Sequence, residues 1–171
     1  MTEREYRSHP AISRSELWRL RESPQKLKWY QEHPEEPTPA LVLGQLLHTM
    51  LLEPHKLAEE YAVMPTIDRR TKDGKAQYQA FVEGAAGKTI VTADMVEQAQ
   101  GMCEAIQAEP LAVKLLDGDH EKPFFWTDEM TGEECKCRAD VYNTKFSHPI
   151  IVDVKSTQDA STDSFMRSAI K

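Results

Sequence analysis

Cysteine is scarce in this sequence: Cys103, Cys135 and Cys137 are all there is in 171 residues. A sparse, odd set argues against a disulfide framework and leaves reduced thiols as the default. Long apolar runs are also missing. No stretch approaches the roughly 20 residues that a bilayer-crossing helix needs, and the opening MTEREYRSHP has nothing like the apolar core of a secretory leader. Both absences lead to the expectation of a cytoplasmic protein with no membrane partner. Positive charge is in deficit, with 21 Lys and Arg against 28 Asp and Glu, a net charge of −7. That argues against a surface coated in phosphate-binding cations. It leaves open a nuclease, which needs carboxylates for metal and can confine its basic groups to one channel. Repeats, low-complexity tracts and a Gly/Ser linker are absent too, so the length fits one domain over residues 1–171.

What is present divides into a helical part, residues 10–116, and a strand-rich part, residues 121–171. In AISRSELWRLRESPQKLKWYQEHP, Ser13 and Glu16 have capping-box spacing, and Leu17, Leu20 and, beyond Pro24, Leu27 predict two short helices. A proline-rich break follows from Pro34 to Pro39. The apolar ALVLGQLLHTMLL, Ala40 to Leu52, predicts a buried helix with Gly44 and His48 on one face. DRRTKDG, Asp68 to Gly74, is read as a solvated turn. Thr92 caps a third helix over Ala93 to Ala108, with Met95, Ala99, Met102, Cys103 and Ile106 at helical spacing. From there β-branched and aromatic residues dominate PFFWT, ECKCRADVY and PIIVDVKS, predicting a three-strand antiparallel meander. DASTDSFMRSAIK is helical in character.

The chemistry-bearing residues lie in the meander. In PIIVDVKS, Asp153 and Lys155 are two apart, so in a strand both leave the same face. The apolar Ile150, Ile151 and Val152 before them predict a central buried strand, where charges need a metal or an opposite charge. Taken alone, the pair reads equally as a salt bridge at a strand end. Asp140, ending CKCRAD on the preceding strand, shares its face with Arg138 and Lys136, and a hairpin can carry it beside Asp153. Two adjacent aspartates repel unless a divalent cation lies between them, and carboxylate oxygens suit Mg²⁺ or Mn²⁺. A cation there would orient and activate water, with Lys155 positioning that water or stabilising charge on the phosphate. His48, polar in an apolar helix, is either a further ligand or a hydrogen-bonded core histidine. Glu121, just before the first strand, either adds a carboxylate or belongs to a solvated turn.

Three other readings compete. Zinc held by Cys135, Cys137 and Cys103 with His120 or His148 lacks a second C-x-x-C knuckle. A nucleotide loop in GAAGKT, Gly84 to Thr89, fails because Val82 stands where the P-loop needs glycine. Arg14, Arg19, Arg21, Lys26 and Lys28 either line a DNA path with Trp18 or Trp29 stacking on bases, or form a solvated helix face over core tryptophans.

Together AISRSEL with SPQKLKWY, the Gly44-x-x-x-His48 segment with LLEP, CKCRAD, and IIVDVKSTQDAS with Phe165 downstream resemble the exonuclease VIII (RecE-type) nuclease family. That family belongs to the PD-(D/E)xK superfamily, with phage lambda exonuclease and the RecB nuclease domain as relatives. The resemblance runs from Pro10 to the end. It implies an α/β, restriction-endonuclease-like core in which helices flank a small mixed sheet. It implies metal binding by His48, Asp140 and Asp153, with Glu121 as an added ligand, and catalysis by Asp140, Asp153 and Lys155. The implied activity is 5′-to-3′ resection of double-stranded DNA ends for recombination, with a homo-oligomeric ring and a single-strand annealing protein as partners. The family continues into a helix with Tyr and Gln, whereas this sequence stops at Lys171. The sequence therefore reads as C-terminally truncated, and the alternative is an inactive prophage remnant that binds DNA or a partner.

Overall fold

The structure, a computed structural model, describes residues 1, 3–33 and 36–169. Residues 34 and 35 of the expected proline break, and residues 170 and 171 of the last expected helix, lie outside the described residues. After α1 (Glu3–Ser8) and the two-residue β1 (Ile12–Ser13) come α2 (Arg14–Glu22) and α3 (Pro24–Glu32), antiparallel neighbours that match the expected pair of short helices. The capping box at Ser13 forms in full: its amide donates to Glu16 Oε2 at 2.8 Å and its hydroxyl accepts the Glu16 amide. Ser23 caps α3, whose first residue is Pro24, where a missing N–H costs nothing.

The apolar segment forms α4 (Pro39–Leu52), capped by Thr38. After a 3₁₀ turn come α5 (Leu57–Glu60), β2 (Tyr61–Val63), α6 (Lys72–Gly84), β3 (Thr89–Val91), α7 (Ala93–Gln107) and α8 (Pro110–Leu116). α4 packs on α7, and Val42, Leu46, Val91 and Ala99 close the core between them, with β2 and β3 paired in parallel beside it. The expected cap at Thr92 is there. The solvated turn at DRRTKDG is corrected: only its start is a turn, and Thr71 caps α6 from the Gly74 amide at 2.9 Å. Gly74 is required at that helix start, since a Cβ would meet the Asp68 carbonyl oxygen at 1.9 Å. GAAGKT runs from the end of α6 into β3, helix then strand, the reverse of a nucleotide loop.

The larger sheet is built on β5 (Glu134–Asn143). β4 (Asp119–Thr127) pairs antiparallel with it on both sides of Glu121, joined by a turn in which Asp128 Oδ1 accepts the Met130 and Thr131 amides. On the opposite edge, β1 pairs parallel to residues 135–136 and β6 (Ile150–Val152) antiparallel to residues 141–143. The expected meander is β4-β5-β6, and β1 makes the sheet mixed. The fold is thus α/β, a small mixed sheet flanked by helices, closed by α9 (Thr162–Ala169). Among the described residues, no helix is long and apolar enough to cross a membrane.

Two expectations about this sheet change. Glu121 lies inside β4, not before it. PIIVDVKS is not a central buried strand: β6 pairs only with β5, Ile151 is 62% exposed, and pairing stops at Val152. The reason is local. The Val154 amide, next to point toward β5, is taken by the Asp140 carboxylate at 2.6 Å in place of a backbone carbonyl.

Candidate metal centre

Glu121 and Asp140 face each other across the β4-β5 ladder. The register pairs His120 with Val141 and Lys122 with Ala139, which leaves Glu121 and Asp140 opposite each other at a gap in the ladder. Like charges in that relation repel, so the sheet holds them only with compensation. Glu121 also has φ of 49°, the sole positive φ outside glycine among the described residues. A side chain in that region costs about 1–2 kcal/mol, and such strain gathers where a side chain must be aimed.

His48 approaches this pair from α4. Its Nδ1 lies 3.9 Å from Glu121 Oε1 and 3.8 Å from Asp140 Oδ2, and its Nε2 lies 2.8 Å from the Val154 carbonyl oxygen. A carbonyl oxygen only accepts, so Nε2 carries the hydrogen. The neutral ring then turns the lone pair of Nδ1 toward two carboxylates. That is the arrangement of a metal-ligating histidine oriented by a backbone acceptor. One ligand atom from each of His48, Glu121 and Asp140 lies within 4.8 Å of the others. Nitrogen and carboxylate oxygen donors in this grouping fit a divalent cation.

Gly44 and His48 sit one helical turn apart and act on the same segment. At Gly44 a Cβ would come within 3.1 Å of Ser156 Oγ, so glycine lets the chain after β6 lie against α4, where His48 binds it. Val154 is gripped on both sides, its amide by Asp140 and its carbonyl by His48.

The electrostatics follow from burial and crowding. Burial raises the Asp140 pKa although the Val154 amide opposes it, and Asp153 and Glu121 add to the rise. The Glu121 carboxylate raises the His48 pKa against the opposing effect of burial, with Asp140 adding to the rise. The compensating cation is Arg138, whose Nε meets Glu121 Oε2 at 2.7 Å. It is two residues before Asp140 on the same strand, the spacing singled out in CKCRAD.

Asp153 and Lys155 lie just beyond β6, 58% and 75% exposed at their side chains, and pair with each other at 2.9 Å. Lys155 lines a cleft of about 970 Å³ with His48, Glu121 and Arg138. Asp153 stands outside the group of three, near enough for its charge to act on Asp140. The three cysteines are free and take no part in this group. His120 is turned to the Leu52 and Leu116 carbonyls at 2.6 and 2.9 Å. The thiol-based zinc reading has no support in this arrangement.

A mixed α/β fold with His48, Glu121 and Asp140 grouped beside a cleft that Lys155 lines suits a nuclease-type fold. The chain belongs to a family described as a PDDEXK-like domain of unknown function (DUF3799), whose model matches residues 13–171. No curated protein matches it.

Proposed function

We propose that the protein is a metal-dependent exodeoxyribonuclease that hydrolyses phosphodiester bonds at the ends of linear double-stranded DNA. The observation that carries this reading is the His48 ring, fixed at Nε2 by Val154 so that Nδ1 faces Glu121 and Asp140. Membership of the PDDEXK-like family supports it.

His48, Glu121 and Asp140 would hold the cation, Mg²⁺ by choice and Mn²⁺ as its substitute, with Asp153 entering from the rim. When bound, that ion supplies Lewis-acid charge beside the scissile phosphate and lowers the pKa of water there. The protein residues do the rest. Arg138 holds Glu121 in place and offsets the carboxylate charge. Lys155, exposed and paired with Asp153, swings onto a phosphate oxygen and stabilises the charge that builds as the bond to the leaving oxygen breaks. Cleavage in the 5′-to-3′ direction, a ring of subunits and delivery of the resulting overhang to an annealing protein belong to the same reading and rest on the exonuclease VIII resemblance.

Incubation of linear duplex DNA with the protein and Mg²⁺ should release acid-soluble nucleotide, with closed circular duplex untouched and Asp140→Asn inactive. Equal release by both proteins, or none from the wild type with either Mg²⁺ or Mn²⁺, overturns the proposal.

A further inference from the structure

The α2-α3 hairpin departs from the rest of the molecule in charge and in surface chemistry. From Arg14 to Glu32 there are five basic and three acidic side chains, in a chain whose net charge is −7. The acids are occupied: Glu22 pairs with Lys26, Glu32 with Lys28, and Glu16 closes the capping box. Arg14, Arg19 and Arg21 make no ion pair among the described residues. They lie on aromatic rings instead. The Arg21 and Arg14 guanidinium carbons are 4.2 and 5.9 Å from the Trp18 ring centre, and that of Arg19 is 4.3 Å from the Tyr30 ring centre.

Neither tryptophan is in the core, contrary to the reading of a solvated face over buried rings. Trp18 and Trp29 are each 51% exposed. A large ring left half in water beside unpaired guanidinium groups is an expensive surface unless something covers it. Arginine for phosphate and an aromatic face for a base form the combination used on single-stranded nucleic acid. A duplex hides its base faces in the stack, so half-exposed rings suit an unpaired strand, which would stack on the side of Trp29 away from His33, itself stacked on that ring at 4.9 Å. Arg19 and Tyr30 also line the cleft that contains His48, Glu121 and Lys155, so the surface runs into the candidate metal centre.

We propose that the α2-α3 hairpin binds the unpaired strand of a DNA end, with bases stacking on Trp18 and Trp29 and backbone phosphates on Arg14, Arg19 and Arg21. The choice of DNA rests on the nuclease reading, but the binding itself requires no metal. It is therefore testable separately.

The experiment is a titration of the full chain with oligothymidylate in chelator, read by tryptophan fluorescence. Quenching is expected, with affinity falling as salt rises by about 0.7 in logarithmic slope for each phosphate engaged. Trp18→Ala should weaken binding about tenfold, the scale of one lost base stack. Arg21→Glu, fully folded by circular dichroism, should weaken it and flatten the salt slope. Trp126→Phe, on β4 and outside the hairpin, should bind as wild type. The proposal is overturned if Trp18→Ala and Arg21→Glu bind as tightly as wild type, if blunt duplex of equal length binds as tightly as oligothymidylate, or if oligouridylate is preferred. If oligothymidylate binds as expected while no metal supports cleavage, the nuclease reading alone falls. If cleavage depends on Asp140 while the strand does not bind, the hairpin proposal alone falls.

Discussion

The backbone amide of Val154 donates to Asp140 Oδ2 at 2.6 Å. The middle residue of the D-x-K segment thus contributes through its main chain, and its side chain is incidental to the tie. Val154→Pro, which removes the amide hydrogen and keeps the carbonyl, should lower nuclease activity about 10- to 100-fold, the usual cost of disturbing a ligand's supporting bond. Val154→Ala should stay within about twofold, since both main-chain groups survive. Parallel loss in the two variants, in nucleotide-release assays on folded protein, would remove the main chain from the argument.

Glu121 and Asp153 differ in their relation to His48 and Asp140, and the difference is measurable. Isothermal titration with Mn²⁺ should show a larger loss of affinity for Glu121→Gln than for Asp153→Asn. Lys155→Ala should leave the affinity near wild type while abolishing cleavage, a loss of about 10²–10⁴-fold if the ammonium supplies about 3–5 kcal/mol at the transition state. A greater loss of Mn²⁺ affinity in Asp153→Asn would shift the centre toward the rim.

Arg138 separates two opposed carboxylates from mutual repulsion, a task a divalent cation can share. Arg138→Gln should destabilise the metal-free protein by about 1–3 kcal/mol, the range for a hydrogen bond to a charged group. In a chain of this size that is a fall of roughly 3–10 °C in Tm. Saturating Mn²⁺ should restore more of that loss than it adds to wild type. Equal gains in thermal scans of the two proteins would deny the sharing.

Both raised pKa values set the sign of the pH dependence. His48 holds its proton above the usual 6.5 in the folded state, so its contribution to stability is complete below that value and lost as pH rises through the folded pKa. Asp140, raised from 3.8, acts in the same direction at lower pH: its folded state also prefers the proton. A cation on Nδ1 must displace that proton. The metal-free protein should therefore lose Tm as pH rises above 6.5, the ordinary value from which His48 is raised, while the Tm gain from Mn²⁺ widens over the same rise. The gain should stay flat with pH in His48→Gln, and a flat gain in wild type would count against His48 as a ligand.

The sequence showed the helices whose signals are local: the Ser13-Glu16 box, the Thr92 cap and the apolar run that became α4 are complete within one turn or one period. It also showed the strand order from β4 to β6. It hid α6, because Asp68 to Gly74 is polar throughout and its start signal, Thr71 with Asp73 in the first turn, resembles an ordinary loop. Where Glu121 points was hidden for a different reason. Register is a property of two strands, and only the pairing of β4 with β5 sets this carboxylate opposite Asp140. The alternation that placed Asp153 and Lys155 on a buried strand assumed that the ladder continues. Asp140 ends it by capturing the next amide.

Lys136 is 5% exposed on β5, and its ammonium donates to the Tyr6, His9 and Arg7 carbonyls at 3.0, 2.6 and 3.5 Å. Those acceptors all precede residue 13, where the family match begins. The domain boundary drawn by similarity and the one drawn by charge satisfaction therefore do not coincide. A fragment cut at the former would leave a buried cation without its acceptors, two residues from Arg138 on the strand that carries Asp140.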